Sequence, residues 1–190
     1  MVSLPIRMRH STRILGGQLR FCSTSRGSML EGSSAMAPRE VAFLFDQVSR
    51  NKAASLKTWN TYCSNFLMPV IDQLTIDEML TVIRSMVRAR FRKFAVTNKV
   101  NRRLTSLFYG QTSADPAKVG RLLNDLAKLD SLDDMTTRTL CRATKFDESD
   151  FVSLSMALNA LARTRLADSD IVNPIADAVV SLVPEVDLTV

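Results

Sequence analysis

Hydrophobic residues recur along most of the chain at the spacing of amphipathic helices. VAFLFDQV at 41–48 and VGRLLNDLAKL at 119–129 repeat apolar side chains every three or four positions, which places one apolar stripe on each helix. Glycine weakens helices, and only Gly110 and Gly120 occur after Gly32. The pattern therefore predicts an all-α fold.

Short capping motifs predict where helices begin. Thr75-Ile-Asp-Glu78 and Ser131-Leu-Asp-Asp134 have the form of capping boxes, in which a hydroxyl accepts from a backbone amide and a carboxylate reaches back. Asp115 precedes Pro116, and proline is favoured at the first helical position because no amide is needed there. The other predicted starts are at Ala37-Pro38-Arg39-Glu40, Asp147 and Asp168.

Two segments share the pattern Leu-Asn-x-Leu-Ala followed by a basic residue, namely LLNDLAKLD at 122–130 and ALNALARTR at 157–165. Two weaker copies precede them, and each anchor is followed 14 residues later by a second aligned position. The pairs are Val48 with Tyr62, Met86 with Val100, Leu126 with Leu140, and Leu161 with Ile175. The anchors are 38, 40 and 35 residues apart, about the length of one helical hairpin.

The repeat predicts hairpins made of a helix A, a short turn and a helix B. They span 38–51 with 55–71, 76–93 with 97–109, 116–129 with 132–144, and 148–165 with 169–183. A lone hairpin cannot bury its apolar face, whereas stacked hairpins share a continuous core. We therefore expect residues 38–183 to form a right-handed α-solenoid of about four helical hairpins, with an irregular helix bundle as the alternative.

The repeat resembles the octotricopeptide and heptatricopeptide class, which is related to the helical repeats of FAST-kinase-domain and RAP-domain proteins. The residues that carry the resemblance are PREVAFLF at 38–45, LNDLAKL at 123–129 and LNALAR at 158–163. The resemblance implies work on organellar RNA, in RNA processing, RNA editing or a mitoribosome. Four units are few for reading bases one by one, so a small accessory subunit, or scaffold, of a larger ribonucleoprotein is expected.

The first 30 residues have the composition of a mitochondrial transit peptide. They contain five arginines, no lysine and no acid, among serines and threonines. The inside-negative membrane potential attracts such a segment, so we expect 1–30 to be a transit peptide and flexible lead, and the protein to be in the mitochondrial matrix. A basic tail or a nucleic-acid-binding arm is the alternative.

Charge beyond that segment is nearly balanced, but it is unevenly distributed. The net charge of +6 falls to +1 without residues 1–30, because 20 cations and 19 acids remain. No acid occurs from Met79 to Ala114, where the cations are Arg84, Arg88, Arg90, Arg92, Lys93, Lys99, Arg102 and Arg103. We expect Arg84, Arg88 and Arg92 to form one stripe along helix A, because their spacing is i, i+4 and i+8.

Phosphate is the favoured partner of these eight residues, because guanidinium groups bind it bidentately and displace condensed counterions. The sequence thus predicts an RNA-backbone interface. The alternatives are acidic residues of neighbouring units or of another protein, and an ordinary solvated surface.

Aromatic residues near the basic segment offer two interpretations. Trp59, Tyr62 and Phe66 recur at i, i+3 and i+7, and a core position is favoured over a base-stacking surface. The better candidates for stacking are Phe91, Phe94, Phe108 and Tyr109, with helix packing as the alternative for most of them.

Catalytic chemistry is not expected. The only histidine, His10, lies in the predicted transit peptide, and no phosphate-binding loop or metalloprotease motif occurs. Cys22, Cys63 and Cys141 are too far apart for a metal knuckle, so the last two are interpreted as core residues. No cofactor, small-molecule substrate or membrane span is expected. The alternative function is a purely protein-binding adaptor, such as an accessory subunit of a respiratory or ATP-synthase complex.

Overall fold

A computed structural model describes residues 36–50, 54–164 and 168–182. Within these ranges the secondary structure is helical, apart from an isolated bridge between Ala114 and Thr144, so the prediction of an all-α fold is confirmed. The α-helices are α1 (Pro38–Arg50), α2 (Leu56–Tyr62), α3 (Met68–Val70), α4 (Ile76–Arg88), α5 (Phe94–Phe108), α6 (Pro116–Lys128), α7 (Asp134–Arg142), α8 (Phe151–Thr164) and α9 (Ser169–Leu182).

Short helical turns join several of these helices. A π-helical turn over Cys63–Leu67 links α2 to α3, and 3-10 turns occupy Ile71–Gln73 and Phe146–Glu148. The predicted transit peptide, with His10 and Cys22, lies outside the described residues.

Helices that are separated by one hairpin in the sequence pack against each other. Helix α1 contacts α4, α4 contacts α6, and α6 contacts α8 most extensively. Among the predicted helices B, α5 contacts α7 and α7 contacts α9, while α9 also packs on α8. Each predicted helix A thus has another helix A as a neighbour.

The aligned positions of the repeat lie in the core. All four anchors are buried, and so are the downstream positions in α5, α7 and α9, while the downstream position in α2 is half-buried. The buried residues are Val48, Met86, Leu126, Leu161, Val100, Leu140 and Ile175, and Tyr62 is the half-buried one. The alignment therefore identified structural positions.

The shared asparagine of the Leu-Asn-x-Leu-Ala segments joins the two copies. Asn159 Nδ2 on α8 donates a hydrogen bond of 3.0 Å to Asn124 Oδ1 on α6. Two segments that align in sequence are thus neighbours in space.

Helices α4 and α6 end in the same way. The amide of Phe91 donates to the carbonyl of Met86 at 2.9 Å, and the amide of Arg90 donates to the carbonyl of Val87 at 3.0 Å. Arg90 has a φ of 51°, which places it in the left-handed region. This pattern is a Schellman motif, which satisfies the last carbonyls of a helix and reverses the chain.

The same motif closes α6 forty residues later. Ser131 donates to Leu126 at 3.1 Å, Asp130 donates to Ala127 at 3.0 Å, and Asp130 also has a φ of 51°. The predicted extension of helix A to residue 93 is therefore wrong. Because α4 ends at Arg88, Arg92 lies in the turn, and the predicted stripe of three arginines along one helix does not form.

Most predicted helix starts are confirmed. Thr75 Oγ1 accepts from the amide of Glu78 while Glu78 Oε2 accepts from the amide of Thr75, which completes the capping box. Asp115 accepts from two amides at the start of α6. Glu40 accepts from the amide of Ala37, and Asp168 accepts from the amide of Asp170.

Two predicted starts are wrong by a few residues. Asp133, and not Ser131, caps α7, because Ser131 Oγ donates to a carbonyl at the end of α6. Asp150, and not Asp147, accepts from the amide of Ser153 at the start of α8.

The aromatic core is centred on Trp59. Its ring centroid lies 5.5 Å from that of Phe45 and 5.4 Å from that of Phe91, on which it stacks. The core interpretation of Trp59 is confirmed, and Tyr62 and Phe66 are half-buried against the core.

Burial also decides the remaining aromatic and thiol predictions. Phe91 and Phe108 are buried, which removes them as stacking candidates, while Phe94 and Tyr109 are exposed. Cys63 and Cys141 are buried, as predicted. Burial raises the pKa of Cys63 to about 11 and that of Cys141 to about 12, so both thiols are protonated at neutral pH.

Gly120→Ala should destabilise the fold by about 1–3 kcal/mol, because the new Cβ would lie 2.7 Å from the backbone oxygen of Ser153 on α8. Urea denaturation measures the change. Arg121→Ala, at the adjacent exposed position, is the control and should change stability by less than about 0.5 kcal/mol. A gain of about 1 kcal/mol, as helix propensity alone gives, would contradict the close contact of α6 with α8.

Candidate nucleic-acid interface

A cleft of about 240 Å³ between α4, α6 and α8 brings four cations together. Arg84 and Arg88 come from α4, while Arg121 and Lys128 come from α6. Each pair shares a helix face because its members are four or seven positions apart, and the apolar residues of both helices point into the core. Helix packing thus gathers cations that are up to 44 positions apart in the sequence.

The cleft continues onto α8 as a wider depression of about 420 Å³. The two parts share Asn124, Lys128 and Met156, so they form one continuous surface, which we name the α4–α6–α8 groove. The wider part is also lined by Phe151, Val152, Ser155 and Asn159.

Two of the four cations have intramolecular partners. Arg88 Nη1 donates to Asp46 Oδ1 at 3.0 Å and to Ser49 Oγ at 2.6 Å, and both acceptors lie on α1. Lys128 Nζ lies 3.6 Å from Asp125 Oδ1. Arg84 and Arg121 form no ion pair within the described residues, so the groove keeps an excess of positive charge.

Two acids limit this charge, namely Asp125, which lines the groove beside Lys128, and Asp46 on α1. The Asp46 carboxylate accepts hydrogen bonds from both Arg50 and Arg88. These bonds stabilise the ionised form and hold the pKa of Asp46 below its usual value. Asp46 therefore stays charged to more acidic pH than an isolated aspartate.

A further acid, Asp150, directly precedes Phe151, which lines the wider part of the groove. Asp150 precedes α8, and its pKa is lowered chiefly because its carboxylate accepts from the backbone amide of Ser153. The charge of Arg121 makes a smaller contribution in the same direction. Negative charge therefore accompanies the first turn of α8, while the cations lie on α4 and α6.

Three of the other predicted site residues form ion pairs or hydrogen bonds within the molecule. Arg92 Nη1 contacts Asp130 Oδ2 at 2.6 Å, which joins the turn after α4 to the turn after α6. Lys93 Nζ donates to Ser64 Oγ at 2.9 Å. Lys99 Nζ pairs with Asp72 Oδ2 at 2.7 Å and donates to the carbonyl of Met68 at 3.0 Å.

The remaining three lie on other elements. Arg90 is in the left-handed turn after α4. Arg102 is exposed on α5. Arg103 on the same helix is half-buried, and its buried Nε has no hydrogen-bond partner among the described residues. Only Arg84 and Arg88, of the eight predicted residues, line the groove.

Arg121 and Lys128 were missed because they lie outside the acid-free segment. A signal was available in the repeat, since Lys128 follows its anchor Leu126 by two positions, as Arg88 follows Met86. The same offset gives Arg50 and Arg163, so each helix A has an exposed cation near its C-terminus. The helix dipole favours a cation at that place, which explains the row at Arg50, Arg88, Lys128 and Arg163, but not Arg84 or Arg121.

No group of three His, Cys, Asp or Glu residues in the described part of the chain has the arrangement of a metal site. No helix among the same residues is long and apolar enough to span a membrane.

Comparison with known proteins adds no assignment. Neither a protein-family model, nor a curated protein, nor a solved structure matches this chain. The resemblance to octotricopeptide and heptatricopeptide repeats therefore stays a prediction, and the groove is the basis for a functional proposal.

Asp46→Asn should lower stability at about pH 7 by about 0.5–1 kcal/mol, because Arg50 and Arg88 lose their shared carboxylate. The pKa of Asp46 is lower in the folded protein than in the unfolded chain, where it is near 3.9. The ionised carboxylate therefore stabilises the fold above that unfolded pKa, and this stability is lost as the pH falls through the folded pKa. The difference between wild type and variant should therefore shrink in acid, which urea denaturation at several pH values measures.

Asp177→Asn is the control for this experiment, because the exposed Asp177 forms no ion pair with any described residue. The free energy of unfolding of Asp177→Asn should equal that of the wild type at every pH. A destabilisation by Asp46→Asn that does not change with pH would show that the carboxylate charge is not its source.

Proposed function

We propose that the protein is a non-enzymatic helical-repeat subunit of a mitochondrial ribonucleoprotein and that the α4–α6–α8 groove binds the RNA backbone. The observation that carries the proposal is the convergence of Arg84, Arg88, Arg121 and Lys128 on one groove. Two of these cations have no ion pair within the described residues, so an anionic ligand would meet side chains that are ready to bind it.

Arg88 illustrates the chemistry that is proposed for the ligand. Its guanidinium already binds a carboxylate oxygen of Asp46 and the hydroxyl of Ser49. Phosphate oxygens would occupy equivalent positions around Arg84 and Arg121, because guanidinium groups form charge-assisted, bidentate bonds with phosphate. Repeated phosphates along one strand also suit a groove that crosses three helices.

The scaffold of the proposal is a right-handed α-solenoid of four hairpins. It is supported by the neighbour contacts of α1 with α4, α4 with α6, and α6 with α8. It is supported further by the equivalent turns after α4 and α6, whose left-handed residues are 40 positions apart. Stacked hairpins form extended surfaces, which suits a ligand that is longer than one unit.

The proposed mitochondrial location and the proposed membership of a ribonucleoprotein are supported by the sequence alone. The Arg-rich composition of residues 1–30 supports import, and the repeat resemblance supports RNA processing, RNA editing or a mitoribosome as the setting. A protein-binding adaptor is the second candidate, and the adjacent exposed Phe151 and Val152 in the wider part of the groove favour it, because apolar side chains that are exposed together mark contact surfaces.

The double substitution Arg84→Gln and Arg121→Gln tests the proposal in the full chain. We expect it to weaken RNA binding at low salt by at least about tenfold, because two charge-assisted contacts are lost. The slope of log affinity against log salt should fall by roughly 1.4, or about 0.7 for each phosphate contact to a single strand. Fluorescence anisotropy over a salt titration measures both quantities.

The double substitution Arg102→Gln and Arg142→Gln is the matched control, because it removes the same charge at two exposed arginines that do not line the groove. The arginines of residues 1–30 are common to all variants, so differences between variants report on the groove. If the wild type binds no RNA at low salt and its native complex survives RNase, the RNA proposal fails and the adaptor remains.

A further inference from the structure

An exposed phenylalanine lies in the wider part of the groove. Phe151 is the first residue of α8, and 59% of its surface is exposed, as is 59% of the adjacent Val152. Large apolar side chains that are exposed together in a depression are typical of binding surfaces. Phe151 is therefore a candidate contact for a ligand that extends from the cationic part of the groove.

Charge varies along the groove. Arg84, Arg88 and Arg121 line the narrow part together with Asp125, Lys128 lines both parts, and Asp150 directly precedes Phe151 and accepts from the amide of Ser153. A phosphate at the first turn of α8 would meet the carboxylate of Asp150. An uncharged planar group beside Phe151 would avoid that repulsion.

Asn124, which lines both parts of the groove, and Asn159, which lines the wider part, provide polar atoms for such a group. Asn159 Nδ2 donates to Asn124 Oδ1, and this bond leaves Asn124 Nδ2 and Asn159 Oδ1 without a hydrogen-bond partner among the described residues. One donor and one acceptor therefore lie on a surface that Phe151 also lines. The edge of a nucleobase carries the same combination of groups.

We propose that the α8 part of the groove is a base-binding subsite, in which an unpaired base stacks on Phe151, so that the groove prefers single-stranded to duplex RNA. This inference rests on the proposed function of the cationic part. In duplex RNA the bases are already stacked and their faces are covered, whereas a single strand turns its bases toward an aromatic ring. The phosphates remain on Arg84 and Arg121 in either case.

The test compares binding of the full chain to a uridine homopolymer of about 20 nucleotides with binding to an RNA duplex of the same length. Phe151→Ala should weaken single-strand binding by about 5- to 150-fold, because stacking of a base on an aromatic ring contributes about 1–3 kcal/mol. Duplex binding should change less than about twofold, and the salt slope for the single strand should stay unchanged, because no phosphate contact is removed.

Two further variants separate stacking from general effects on the fold. Phe151→Trp should retain single-strand affinity and quench the fluorescence of a 2-aminopurine base placed in the RNA. Phe43→Ala removes an exposed phenylalanine of α1 that does not line the groove, and it should bind both RNAs as the wild type does. Circular dichroism confirms that each variant is folded.

The outcomes distinguish the two proposals. Equal binding of single strand and duplex by the wild type, with no effect of Phe151→Ala, would overturn the base-binding subsite and leave the phosphate groove in place. Absence of RNA binding by the wild type would remove both. Loss of an acidic protein partner in Phe151→Ala, with RNA binding intact, would assign Phe151 to a protein contact instead.

Discussion

The close contact between α6 and α8 determines the geometry of the groove. Gly120 has no side chain, so the backbone of α6 approaches the backbone of α8 at Ser153. This approach brings Asn124 and Asn159 within hydrogen-bonding distance. Larger residues at position 120 would separate the helices, and the cationic and apolar parts of the groove would no longer form one surface.

Intramolecular ion pairs set the number of cations that remain for a ligand. Asp46 lies in the first predicted hairpin, Asp72 directly follows that hairpin, and Asp130 lies in the third. They pair with Arg88, Lys99 and Arg92 of the second, respectively. An acid-free segment of the sequence is therefore not an acid-free surface in the fold. Arg84 and Arg121 differ because they form no ion pair within the described residues, although Asp125 lines the same cleft. Their positive potential extends over the groove.

Local patterns predicted the helices and their core positions well. The capping box at Thr75 and the buried anchors Met86 and Leu126 depend on neighbours within a few residues, and such order can be read from the sequence. The end of α4 could not be read in this way, because Arg90 occupies a left-handed position that usually requires glycine. The groove was missed for another reason, because Arg121 joins Arg84 only through the packing of α4 on α6.

The equivalent turns after α4 and α6 have a consequence for how such a chain can change during evolution. Five residues separate α4 from α5, and five separate α6 from α7, with the left-handed residue at the same place in both turns. The turns inside the second and third predicted hairpins are thus equivalent in length and conformation. A duplication or deletion of a 40-residue block of coding sequence with both ends in these two turns would keep that turn intact and would need no new loop at the junction.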